Sequence, residues 1–289
     1  MTIQALWRLS RPHTLSAAIV PVLVGVAAGA LGGKPSFLLA LDMLVISLLL
    51  QIATNMANEY FDFRRGVDHA GLTGIAGVIV KGELQAKTVL HYALGTFLLA
   101  FFLGCVLGYI RGLILIGLGL LSILVALLYS AGPKPIAATP YGELTVFLLM
   151  GVLETLVSEV AAVGRMSAAG LAASFSVGFL VAAILTANNL RDRESDQERG
   201  RRTLAIVLGE VRGLRFLRAE ALLALLWPAM AALLGLLPWA AALTLLLLPL
   251  AAGIGRGVPL RRLLPQTSRL HLLNGVFLAA GLALWLAVR

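Results

Sequence analysis

Apolar residues fall in long blocks separated by short polar segments, and the blocks are too long and too uniformly apolar for helices that line the core of a soluble domain. A helix crosses the hydrocarbon layer with roughly 20 such residues. Nine blocks come close to that length: 13–32, 37–59, 88–107, 112–131, 141–163, 167–189, 216–236, 238–255 and 268–288. They predict an all-α, polytopic membrane protein of nine transmembrane helices, forming one domain over 1–289. The first block follows Arg8 and Arg11 but runs directly into further spans, so it is expected to be a retained helix and not a cleaved leader.

Composition agrees with this pattern. Apolar residues make up 60% of the chain and charged ones 13%, against about 45–50% and about 25% in soluble domains. Disorder and low-complexity scaffolds are excluded on the same grounds. The lone cysteine, Cys105, has no partner for an intramolecular disulfide and is expected to pack. The net charge of +9 is largely topological: with the N-terminus inside, 19 of the 23 Lys and Arg residues lie on the cytoplasmic side. Only Lys34, Arg111, Arg165 and Arg289 lie outside, and nucleic acid is not needed to explain the basic balance. Gly25, Gly29 and Gly33, and again Gly104, Gly108 and Gly112, recur every four residues and predict close helix approach.

Two inner segments, 63–87 and 191–215, are long for loops of a compact domain and are expected to be functional, and both begin with acids. The first follows Asn58-Glu59-Tyr60-Phe61-Asp62, continuing through Arg64, Arg65 and Gly66 to Asp68. The second follows Asn188 and Asn189, with Asp192 and Asp196. Residues four apart share a helical face, so Asn58 aligns with Asp62, and Asn188 with Asp192 and Asp196. Asp68 leaves that face unless the chain turns, and Gly66 is the expected turn. Two clusters of hard oxygen donors on different helices suit two Mg2+ ions that keep waters and bind substrate phosphate. Arg11, Arg64, Arg65, Lys81, Lys134 and Arg201 lie on the same side and are expected to take phosphate oxygens, which makes a diphosphate the natural guest. The plain alternative is a solvated rim in which Asp and Arg neutralise one another.

These residues resemble the UbiA superfamily of intramembrane prenyltransferases, and within it the 1,4-dihydroxy-2-naphthoate polyprenyltransferases of menaquinone synthesis. The resemblance is carried by Arg11-Pro-His-Thr-Leu, NEYFDFRRGVD at 58–68, GIAGVIVKGEL at 74–84 and YSAGPKPIAATPYGE at 129–143. It continues in NNLRDRESDQERGRRTLAIVLG at 188–209 and LPQTSRLHLLNG at 264–275. It implies nine helices around a central cavity with a cytoplasmic cap, in a prokaryotic plasma membrane. Asn58, Asp62 and Asp68 are then the first metal motif, and Asp192 and Asp196 the second. Arg11, Lys81, Lys134 and Tyr129 surround the diphosphate and the allylic carbon. The implied reaction is Mg2+-dependent transfer of a polyprenyl group from polyprenyl diphosphate to 1,4-dihydroxy-2-naphthoate with loss of CO2. Alternatives are another aromatic acceptor, such as 4-hydroxybenzoate or homogentisate, and, from a different class, an ion-coupled transporter. Glu154 and Glu159 depart from the family pattern; with Asn189 and His69 they are candidates for an acceptor pocket or proton handling.

Overall fold

A computed structural model describes residues 3–66 and 77–288; Asp68 and His69 lie outside the described residues. Every regular element described is helical. The chain opens with α1 (Ile3–Ser10), α2 (Ser16–Ala30), α3 (Phe37–Arg64), α4 (Ala86–Arg111) and α5 (Ile114–Ser130). Then α6 (Gly142–Val146), a π-helical turn (Phe147–Leu153) and α7 (Glu154–Val163) run on as one helix. The last part comprises α8 (Ala168–Glu198), α9 (Leu204–Leu233), a 3-10 stretch (Trp239–Leu247) leading into α10 (Leu248–Gly253), and α11 (Leu263–Val288).

Among the described residues, six helices are long and apolar enough to cross a membrane, and a seventh span results if α1 and α2 count as one bent pair. The other two expected spans fall on shorter apolar helices, Ile114–Ser130 and Trp239–Gly253. With 17 residues, α5 reaches about 25 Å, short of a hydrocarbon core of about 30 Å. Each expected span thus has a helix in its place, but apolar composition overstates the length of some. Apolar blocks include residues that the chain spends on turns, such as Gly112, which ends α4, and Pro238, which precedes the 3-10 stretch. Leu98, Phe102 and Tyr109 of α4 are exposed, the outward apolar surface that lipid would cover.

The chain packs as two units. One comprises Met1–Ala18 and Asp42–Ala137, with a core of Leu9, Ala53, Met56, Val78, Val89 and Phe97. The other comprises Ile19–Leu41 and Ala138–Arg289, and α8 is its axis: 67% of its spanning window is buried, against 22% for α3. Leu180, Leu190, Leu217, Leu225, Leu263 and Leu270 form the core around α8. Polar side chains add fixed links there, since Trp227 Nε1 donates to the Ala172 carbonyl at 2.7 Å and Ser176 Oγ to that of Ala224 at 2.7 Å. In the first glycine triplet two members serve as expected: Gly25 lies on the Thr155 carbonyl and Gly29 against Glu159 and Val163, so α2 and α7 approach closely, while Gly33 lies beyond the end of α2. In the second, Gly108 packs on Ile116, whereas Gly104 faces open space and Gly112 makes a turn.

At its C-terminal end α3 stops at Arg64 and Gly66 adopts φ 69°, the expected turn. The second expected loop, 191–215, is mostly helix. α8 runs on to Glu198, α9 begins at Leu204, and only 199–203 intervene. Loss of hydrophobicity does not end the helix, because Arg191, Arg193, Glu194, Gln197 and Glu198 are good helix formers and offset the weaker Asp192, Ser195 and Asp196. The break falls where Gly200 takes φ 73°, and Gly209, at φ 72° and ψ 172°, kinks the start of α9.

Candidate functional site

Asn58 and Asp62 stand one turn apart at the end of α3, as their spacing requires. Arg65 Nη2 donates to Asp62 Oδ1 at 2.8 Å, and its Nη1 donates to the carbonyl oxygen of Ser130. The Ser130 hydroxyl donates to Asn58 Oδ1. A closed relay, Asn58–Ser130–Arg65–Asp62, thus ties the motif to the last residue of α5. Ser130 is buried and sits beside half-buried Tyr129. Sequence reasoning missed Ser130; its place inside the YSAGPKP segment is the only local signal for it. Arg64, Lys81 and Lys134 are exposed and make no ion pair among the described residues.

A second polar stripe runs along α3, one position removed from the first: Gln51, Asn55 and Glu59, spaced four apart. Asn55 Nδ2 donates to the Ser10 carbonyl at 2.9 Å and to Thr14 Oγ1 at 3.1 Å, and Gln51 Nε2 reaches Thr14 Oγ1 at 3.3 Å. Glu59 is buried, with 1% exposure. Its Oε1 accepts from the Val78 N–H at 2.7 Å and the Ile79 N–H at 3.4 Å. Its Oε2 lies 3.6 Å from Arg11 Nη2. Arg11 has φ 49° and ψ 68°, the one left-handed non-glycine among the described residues. Such a backbone costs on the order of 1–3 kcal/mol and persists where its surroundings hold it. The holding contacts here are Asn55 on Ser10, Thr14 Oγ1 on the Arg11 carbonyl at 2.9 Å, and Glu59 on the guanidinium.

In the other unit, α8 carries Asn188, Asp192 and Asp196 on one face near its C-terminus. Arg191 bridges two of them: Nε donates to Asp192 Oδ1 at 2.7 Å and Nη2 to Asn188 Oδ1 at 2.9 Å. Asp196 is buried, and Arg201 meets it twice, through Nη1 on Oδ1 at 3.2 Å and backbone N–H on the carbonyl at 3.0 Å. Asn189 points away from this face and donates to Glu143 Oε1 at 2.9 Å, both side chains being buried. Glu159 is fully buried at the opposite end of α8. Both its carboxylate oxygens serve Ser167, the N-cap of α8, accepting from its hydroxyl at 2.5 Å and its N–H at 3.2 Å. The helix between Ser167 and Asn188 spans about 30 Å, so Glu159 is not brought to Asn189. Glu154 is half-buried in the first turn of α7.

The donor chemistry of both motifs fits Mg2+: carboxylate and amide oxygens, with no thiol or imidazole among them. Among the described residues no three His, Cys, Asp or Glu side chains close round one point. Each motif also holds an arginine against its carboxylates: Arg65 on Asp62, Arg191 on Asp192 and Arg201 on Asp196.

Residues 18–274 match the UbiA prenyltransferase family. The chain is 40% identical over 224 residues to the 1,4-dihydroxy-2-naphthoate octaprenyltransferase of Bacillus subtilis, covering 78% of this chain and 72% of that one. A UbiA homolog from Aeropyrum pernix K1 superposes with a TM-score of 0.71 at 17% identity, over 95% of this chain and 98% of the other. A UbiA homolog from Archaeoglobus fulgidus, bound to GPP and Mg2+, does so at 0.64 and 18% identity, over 96% and 99%. Apolar helices with lipid-facing surfaces, two oxygen-rich N-x-x-x-D faces and a match across both units converge: this integral membrane protein belongs to the UbiA prenyltransferase family.

Proposed function

We propose that the protein transfers a polyprenyl group from polyprenyl diphosphate to 1,4-dihydroxy-2-naphthoate, with loss of CO2 and diphosphate, giving demethylmenaquinol. The observation that carries this reading is the repeated face of amide and carboxylate oxygens at the ends of α3 and α8, each with an arginine already in place. The name borne by the Bacillus relative supports the acceptor. Asn58, Asp62 and Asp68 hold one Mg2+, and Asp192 and Asp196 a second. When bound, these ions bind the diphosphate and stabilise the negative charge that develops on its leaving oxygen.

The remaining work falls to side chains. Arg65 and Arg201, joined by Arg11, Arg64, Lys81 and Lys134, take the phosphate oxygens. The allylic C–O bond breaks and its electron pair goes to diphosphate. The ring carbon that bears the acceptor's carboxylate attacks the allylic cation, and the new C–C bond forms. The bond to the carboxylate then breaks, CO2 departs, and its electron pair restores the aromatic ring. Tyr129 offers its ring face to the cation, and surrounding lipid and apolar side chains keep water from quenching it. In this reading the chain works as one domain with nine spans in a bacterial plasma membrane, its N-terminus and site cytoplasmic.

The test uses protein in nanodiscs with radiolabelled polyprenyl diphosphate, Mg2+, and either 1,4-dihydroxy-2-naphthoate or 4-hydroxybenzoate. The expected result is labelled prenyl-naphthoquinol with CO2 release, abolished by EDTA and reduced at least 100-fold in Asp62→Ala and Asp192→Ala, beyond the roughly 10–100-fold cost of losing a ligand's supporting partner. Prenylation of 4-hydroxybenzoate alone overturns the acceptor assignment and leaves the metal site standing.

A further inference from the structure

The ligand face of α3 is only one of its two polar faces. The other, Gln51–Asn55–Glu59, turns to different partners. It grips two separate segments, each carrying a cation assigned above to phosphate: the Ser10–Thr14 bend with Arg11, and the turn from Gly77 to Glu83 with Lys81. Glu59 belongs to both grips. One carboxylate oxygen closes on the Val78 and Ile79 N–H groups, at 2.7 and 3.4 Å, and the other faces the Arg11 guanidinium at 3.6 Å.

The turn moves as one piece with the point where Glu59 holds it. Its own hydrogen bonds, Lys81 N–H to the Gly77 carbonyl and Glu83 N–H to that of Val78, fold it into a compact unit. Val78 and Ile79 are buried while Lys81 is exposed. Glu83 then reaches Arg8 of α1, a second tie to the same N-terminal segment. A buried carboxylate is retained at a cost in desolvation, and here one oxygen accepts from two backbone N–H groups of the turn while the other forms an ion pair with Arg11 on the second segment.

We infer that Glu59 is a positioning residue for the diphosphate site, fixing Arg11 and the Lys81 turn relative to Asn58 and Asp62 on the same helix. This rests on the diphosphate reading above. Glu59 acts through cations that hold diphosphate in ground and transition state alike, so its loss raises KM for the prenyl donor with little change in kcat.

The experiment compares wild type, Glu59→Gln, Glu59→Ala, Arg11→Gln and the Glu59→Gln/Arg11→Gln double variant in nanodiscs, with farnesyl diphosphate and Mg2+ as donor and Asp62→Ala as control. Glu59→Gln keeps an acceptor for the Val78 N–H but loses the charge facing Arg11. The expected KM for farnesyl diphosphate rises about 10-fold, equivalent to about 1.4 kcal/mol, with kcat within threefold, and the double variant is no worse than Arg11→Gln. Glu59→Ala releases the turn as well, and without any substrate its bond after Lys81 is cut by trypsin at least fivefold faster than in wild type, while Glu59→Gln stays near the wild-type rate. If Glu59→Ala does not fold, Glu59→Gln and the double variant carry the test. An unchanged KM in Glu59→Gln alongside an inactive Asp62→Ala overturns the positioning role alone. An active Asp62→Ala overturns the metal reading beneath it, and the positioning role with it.

Discussion

Asn58 and Asp62 show how far a single spacing reaches and where it stops. Four residues apart on a helix places them on one face, and the structure has them there. What supports them is not in the spacing: Ser130 lies 72 positions away in sequence and donates to Asn58 while its carbonyl accepts from Arg65. Partners of a metal ligand fix its rotamer, and losing one typically costs about 10–100-fold in affinity or activity. Ser130→Ala is therefore expected to lower kcat/KM for prenyl transfer about 10-fold and to raise the Mg2+ concentration for half-maximal rate. A magnesium titration of the purified variant checks both. On α8 the equivalent support is local, because Arg191 bridges Asn188 and Asp192 within one turn.

Helices in this chain end and meet where glycine allows it, though not every regularly spaced glycine serves the same purpose. Gly25 has no room for a side chain, since a Cβ there would run into the Thr155 carbonyl, a backbone atom that cannot swing aside. Gly104, in the same four-residue register within its own triplet, faces open space. Gly25→Val is expected to destabilise the protein by about 1–3 kcal/mol through overpacking, whereas Gly104→Val leaves the melting temperature nearly unchanged; thermal unfolding in detergent distinguishes them. Sequence spacing alone treats the two triplets as equivalents. They differ because α2 has α7 packed across it, while the α4 glycine borders a small cavity lined also by Ile46, Leu50 and Ile116. The segment 191–215 is a similar case: its polarity predicts a loop, but α8 continues to Glu198 because helix propensity outlasts hydrophobicity.

For the protein as a whole, the sorting of Lys and Arg predicts a cytoplasmic N-terminus. In a Cys105→Ala background, Lys34→Cys is expected to react with a membrane-impermeant maleimide in intact cells, and Lys87→Cys only after permeabilisation. Both lysines are exposed, so accessibility within the protein does not confound the outcome, and the reverse pattern refutes the orientation. The number of spans is less directly legible. Six helices meet the length and apolarity of a crossing, with a seventh if the bent pair is one span, because block length in the sequence also counts residues that form turns.

Helical class, membrane residence and the two N-x-x-x-D faces were all legible in the chain's order of residues, since each depends on neighbours within about one or two helical turns. So was the turn at Gly66, which needs a backbone that glycine adopts without a steric cost. The role of Glu59 was not: it sits inside the recognised motif, yet its partners are Arg11, Val78 and Ile79, on segments about 20 to 50 positions away. Glu159 was legible as an unexpected acid within a span, but its task, holding Ser167 at the start of α8, emerges only once α7 and α8 fold back on each other. Local periodicity sets which face a residue occupies; what stands opposite that face depends on contacts between distant segments, and those exist only in the folded chain.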